Sequence, residues 1–184
     1  MNLAGCKKLT LSPLTGYWFR ALRLRHWDTR LQTGHSKTRS SRLSDASSPS
    51  YRMLYLGENH QVAIYEVGAL LGDPNDPQSN PKGSWALMSI HVVLHRVVDL
   101  SDRAQQQLVA TNSQELTGTW LNGPTPAPTQ QLGAALYEIP RLEGFVYPSA
   151  KSKSRNLAVF MDKLGKRSKI TFDNELADQQ ETLA

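Results

Sequence analysis

Apolar positions change their spacing several times along the chain, and each change marks an element. Over residues 16–24 aromatic and apolar residues alternate with arginines, the two-residue period of a half-buried strand, and Arg20 stands inside it. Residues 36–50, rich in serine and basic side chains, read as a loop. Residues 51–56 then read as a short strand; Gly57 ends it, and Asn59 offers an N-cap to a helix over about residues 60–71. Gly72, Asp73, Pro74, Asn75, Asp76 and Pro77 stop that helix and open a surface loop reaching about Gly83. Residues 85 to about 94 alternate again, with Ala86, Met88, Ile90, Val92 and Leu94 on one face and Ser89, His91 and His95 on the other, as in a central or near-central strand. Asp99, Ser101 and Asp102 suit a helix start. A second loop, with Pro124, Pro126 and Pro128, leads into a helix over residues 129–139 whose apolar face is Leu132, Leu136 and Ile139. Short strands at 144–147 and 157–161 flank a polar connection, and residues 169–172 add an edge strand.

Strands and helices that alternate at uneven spacing predict a mixed α+β fold. The chain has 184 residues, enough for one compact domain with a real core, spanning 1–184 with flexible tails at 1–12 and 174–184. No glycine-rich phosphate loop of the doubly wound kind is present. Cys6 is the only cysteine, which excludes a disulfide framework and a cysteine-based zinc site. Lys7 and Lys8 are followed by Thr10, Ser12, Pro13, Thr15 and Gly16, which break the apolar run of a signal peptide, so a cytoplasmic protein is expected. The most apolar stretch, residues 85–100, carries Ser89, His91, His95, Arg96 and Asp99, so no membrane span is expected.

The formal charge of +5 is unevenly placed. Lys7, Lys8, Arg20, Arg23, Arg25, Arg30, Lys37, Arg39 and Arg42 face only Asp28 over that stretch, whereas residues 173–184 carry acids and no base. A cationic first quarter implies an anionic partner: a nucleic-acid backbone or the phosphates of a nucleotide, unless it is a solvated surface. Glu66 falls between Val62 and Leu70 on the helix wheel, which predicts a half-buried carboxylate. Such a group either pairs with an arginine or stabilises positive charge as a glycosidic bond breaks. Arg20 and Arg42 could grip phosphate through the guanidinium fork, Arg20 being the better placed because its strand is otherwise aromatic. Tyr55, at a strand end, could stack on a ring or sit in the core. Ser149 lies where a strand runs out into a loop. It lacks the glycine-flanked elbow of a serine hydrolase, and no histidine follows it. His91 and His95 share a strand face but stand too far apart for one metal ion, so no metal is expected.

These segments, in order, resemble the RES-domain family, toxins of a bacterial toxin–antitoxin pair named for an arginine, a glutamate and a serine. The pieces are GYWFRAL (16–22), RSSRLSD (39–45), MLYLGENHQVAIYE (53–66) and TQQLGAALYEIPRLEGFVYPSAKSKSRNLAVF (129–160). The second departs from the family's pattern of glycine, any residue, arginine, aromatic and asparagine: this chain has Ser40, Ser41, Arg42, Leu43 and Ser44. The resemblance implies a fold similar to ADP-ribosyltransferases and degradation of NAD at the nicotinamide ribose, by phosphorolysis or hydrolysis. It implies Glu66, Arg42 and Ser149 as catalytic residues and Arg20 and Tyr55 as substrate-binding ones. The arginines would hold the pyrophosphate or an attacking phosphate, Tyr55 the nicotinamide, Glu66 the ribose and its developing charge, and Ser149 the ribose orientation. NAD is then substrate, inorganic phosphate a co-substrate, and no cofactor is required. The implied partner is a helix-turn-helix (Xre-type) antitoxin whose C-terminal part plugs the pocket, with nucleic acid reached only through it; a homodimer is compatible.

Two other readings compete. An ADP-ribosyltransferase would break the same bond and pass ADP-ribose to a macromolecule. A basic RNA-binding or ribonuclease module would use the region from Arg20 to Arg42, with Tyr17, Trp18 and Trp27 stacking on bases, although the histidines form no acid–base pair for it.

Overall fold

A computed structural model describes residues 1–46, 51–73, 76–80, 83–120, 125–174 and 179–183. The strands are β1 (Ser12–Arg23), β2 (Met53–Gly57), β3 (Leu70–Asp73), β4 (Asp76–Ser79), β5 (Trp85–Asp99), β6 (Gly144–Pro148), β7 (Arg155–Phe160), β8 (Lys169–Asn174) and β9 (Gln179–Leu183). The helices are α1 (His60–Glu66), α2 (Arg103–Leu108), α3 (Ser113–Thr117) and α4 (Pro128–Tyr137), with 3-10 turns at Leu3–Lys8, Leu24–Thr29, Gly34–Lys37 and Met161–Lys163. Seven strands form one sheet in the order β1-β2-β7-β6-β5-β8-β9, and β1 also pairs with β5, so the ladder closes on itself. The two seams of β1 differ in size: it runs antiparallel to β5 from Ser12↔Val97 to Arg23↔Trp85, but meets β2 at the single pair Phe19↔Gly57.

Period-two alternation in the central strands feeds two cores. Met53, Phe145, Tyr147, Ala158 and Phe160 pack with Leu116, Leu132 and Leu136 of the helices. Their neighbours Leu54, Leu56, Val146, Leu157 and Val159 turn the other way, toward Trp18, Leu22, Ile90, Val92 and Leu94. Strands buried on both faces read as continuous apolar runs, as β6 and β7 do. Asn59 and Asp102 cap α1 and α2 through side-chain acceptors for Val62 N–H and Ala104 N–H, and Pro128 opens α4.

Several expectations are corrected. The helix begun at His60 ends at Glu66, not Leu71: Gly68 takes a φ of +70°, the left-handed conformation that closes a helix. Beyond it the chain forms no plain loop but the antiparallel hairpin β3–β4, with Pro74 and Asn75 outside the described residues. Residues 1–12 do not hang free, since Leu3–Lys8 forms a turn that buries Cys6 in the first core, and β1 starts at Ser12. At the other end, β8 is no edge strand, because β9, inside the expected C-terminal tail, pairs with it along Ile170↔Leu183 to Asn174↔Gln179. Pro124 of the proline-rich loop lies outside the described residues, as do residues 47–50 of the earlier serine-rich loop.

Candidate functional site

A cleft of about 680 Å³ gathers residues from several segments: Arg20 on β1, Arg42 on the loop before β2, Glu66 on α1, and the stretches after α3 and β6. Glu66 is the last residue of α1 and is exposed into the cleft rather than half-buried, because the helix stops before Leu70 could cover it. Its Oε1 accepts hydrogen bonds from Ser149 Oγ at 2.7 Å and Asn156 Nδ2 at 2.8 Å, whereas Oε2 has no hydrogen-bond partner among the described residues. Both donors are buried. Ser149 Oγ accepts the Lys151 backbone N–H at 3.0 Å, so its single proton is committed to Glu66. Ser149 N–H closes the loop onto Ser154 O at 2.9 Å, and Asn59, the cap of α1, reaches Ser154 Oγ at 3.0 Å. The start of α1 and the serine loop are thereby tied together. Gly57 allows the close approach of β2 to α1, since a Cβ there would lie 2.7 Å from Ala63 N.

Arg42 sits in a tight turn held from three sides. Ser41 N–H donates to Ser44 O at 2.7 Å, Tyr51 Oη donates to Leu43 O at 2.9 Å, and Gln130 Nε2 of α4 donates to Ser41 O at 2.8 Å. Leu43, where the family pattern has an aromatic residue, is 1% exposed and anchors the turn in the first core. Gly133 of α4 lets the helix rest against this turn: a Cβ would lie 1.9 Å from Leu43 O. The turn directs the Arg42 guanidinium to Gly118 O on the far wall.

The Arg20 side chain makes no hydrogen bond or ion pair with a described residue, and burial pushes its guanidinium down to about 10, so it stays charged at neutral pH. Tyr55 turns its hydroxyl away to Ser41 Oγ at 2.6 Å, while its ring lines the cleft; burial pushes its phenol up. Tyr147 behind it is raised well above the ordinary phenol range, by burial first and then by the charges of Tyr55 and Glu66. The cleft therefore joins four of the five expected residues directly, with Ser149 behind Glu66 as its hydrogen-bond donor. Asn156, Lys151, Trp120 and Gln130 were missed. Asn156 had a readable signal, a polar residue opening the apolar run of β7, but Trp120 and Lys151 sit in irregular segments where no periodicity acts.

Of the aromatics expected to stack on bases, Trp18 is buried in the second core and Trp27 packs edge-on against Phe172 at 5.6 Å. Tyr17 is exposed and lies against His91, with ring centroids 5.0 Å apart. His95 instead faces Arg167 O at 3.4 Å.

Comparison with known proteins gives two findings. A family model described as the RES domain matches residues 17–179. In fold, the chain is similar to a chain of the M. tuberculosis MbcT–MbcA toxin–antitoxin complex, with a TM-score of 0.68 at 14% identity over 99% of this chain and 91% of that one. No curated protein matches.

Proposed function

The chain belongs to the RES-domain family, and from that premise we propose that it is a toxin that degrades NAD by cleaving the N-glycosidic bond between nicotinamide and ribose. The observation that carries the proposal is the Glu66 carboxylate, held through Oε1 by Ser149 and Asn156 and open at Oε2, in a cleft whose other walls bear Arg20 and Arg42. As the C1′–N bond breaks, its electron pair goes to nicotinamide, which leaves neutral, and positive charge grows at C1′ and the ring oxygen. A carboxylate fixed beside that charge lowers the barrier, as in glycoside cleavage. Oε2 can meanwhile accept a hydrogen bond from a ribose hydroxyl. Arg20 and Arg42 supply guanidinium forks for the pyrophosphate, or for an inorganic phosphate that attacks C1′ in place of water. Phosphorolysis gives ADP-ribose phosphate; hydrolysis gives ADP-ribose and releases a proton. No step needs a cofactor.

The fold likeness to a chain of a toxin–antitoxin complex supports a cognate antitoxin as partner. In this reading the antitoxin is of the helix-turn-helix type and fills the cleft with its C-terminal part. The site chemistry is that of an ADP-ribosyltransferase-like cleft, with phosphate or water as acceptor.

The test is nicotinamide release from NAD by purified protein, with and without phosphate. Release is expected, and Glu66→Ala and Arg42→Ala are each expected to lose most turnover while staying folded. Absence of release in both buffers would remove the proposal, and label appearing on a macromolecule would convert it to a transferase.

A further inference from the structure

Away from this cleft the molecule has a second concavity, of about 720 Å³, lined by His95 and Arg96 of β5, Arg141 in the turn after α4, and Lys163, Lys166 and Arg167 in the turn before β8. Its two carboxylates are both engaged. Glu143, 3% exposed, receives His95 N–H at 2.6 Å, Arg96 N–H at 3.1 Å, Gly165 N–H at 2.8 Å and Ser168 Oγ at 2.5 Å. Asp162 pairs with Arg52, at 2.5 Å from its Nε. Lys163 is also engaged, donating to the carbonyls of Tyr137 and Ile139. Arg96, Arg141, Lys166 and Arg167 are exposed and form no ion pair with a described residue. Arg141 keeps its place at a φ of +61°, where glycine would be less strained.

We propose that this second concavity binds the phosphate backbone of duplex nucleic acid, without regard to sequence. The four exposed cations come from three separate segments of its wall, β5, the turn after α4 and the turn before β8, and such a spread of positive charge suits a row of phosphates. Among the described residues no phenylalanine, tyrosine or tryptophan lines it, and the His95 ring is turned to Arg167 O at 3.4 Å, so the broad stacking platform that single strands use is missing here. Among the described residues Leu164 is its one apolar lining side chain, so an acidic peptide would find charge but little anchor. The site is independent of NAD cleavage and departs from the expectation that nucleic acid is met only through a partner.

The experiment measures binding of the full chain to a labelled duplex of about 20 base pairs of arbitrary sequence across a salt series. Affinity is expected to fall with salt, and Lys166→Glu with Arg167→Glu should weaken binding about tenfold or more and reduce the logarithmic salt slope by about two. Arg96→Glu, on a different element, should act in the same direction. Lys7→Glu with Lys8→Glu, an adjacent exposed pair outside the concavity carrying the same charge change, should have a much smaller effect. Equal loss in both double variants, no binding at low salt, or preferential displacement by polyglutamate over unlabelled duplex would each overturn the proposal. Unfolding midpoints of the variants confirm that binding, not folding, is compared, and nicotinamide release should be unchanged in all of them.

Discussion

At Glu66 two neutral donors settle how one carboxylate presents itself. Each is a hydrogen bond to a charged group, about 1.5–3 kcal/mol in such settings, so Asn156→Ala or Ser149→Ala is expected to lower kcat for NAD by about 10- to 100-fold with the fold intact. Steady-state kinetics check this, and an unchanged kcat in folded Asn156→Ala would separate the donor from catalysis. Arg20 gives a pH prediction. Its guanidinium titrates near 10, so the cationic form that would hold pyrophosphate persists at neutral pH and is lost as pH rises through about 10. KM for NAD should climb there, and Arg20→Lys should climb from a lower pH, since a buried ammonium starts from about 10.4 and is also pushed down. Glu66 was legible from helix periodicity, but for a reason only half right: the wheel assumed Leu70 shared its helix, whereas Gly68 had already ended it. Arg42 was legible by resemblance alone. The turn that aims it depends on Tyr51, Gln130 and Gly133, long-range contacts that no local pattern records.

Among the elements, α4 positions the Arg42 turn without itself lining the cleft. Gly133→Ala would gain about 1 kcal/mol of helix propensity yet drive a methyl group into Leu43 O. Overpacking of that kind costs about 1–3 kcal/mol, so a lower unfolding midpoint is expected together with weaker NAD turnover, because the turn bearing Arg42 must shift. Gly133→Ala with normal activity would show that the turn is held mainly by Tyr51. β1, β5 and α4, through their periods, and β6 and β7, as continuous apolar runs, were readable to within about five residues at their ends. The hairpin β3–β4 was not, because its glycine, aspartate and prolines carry the composition of a loop while its backbone makes ladder bonds.

For the whole molecule, the closing of the sheet was invisible in the sequence, since pairing of β1 with both β2 and β5 depends on how far the sheet coils. Acid stability is one global consequence of the packing around it. Burial pushes Glu143 up, but the hydrogen bonds of Ser168 and of the His95, Gly165 and Arg96 backbones outweigh it and hold the carboxyl below its ordinary 4.5. A depressed carboxyl stabilises the fold above its unfolded value, and that contribution drains away as pH falls below about 4.5 through the folded value. Glu143→Gln should therefore lower stability at neutral pH by about 2–3 kcal/mol and flatten the acid limb of a pH–stability curve. An unchanged acid limb would mean that other carboxyls govern it.

The single pair joining β1 to β2 has a mechanical meaning. A hoop clasped at one link parts there first, and Arg20 lies one residue beyond Phe19 of that link, while Glu66 sits on the helix after its other half, Gly57. Amide exchange at the backbone groups that bond across the β1–β2 link is expected to run faster than at those that bond across the long β1–β5 seam. If so, the wall that carries Arg20 is the part of the hoop with the most freedom to move.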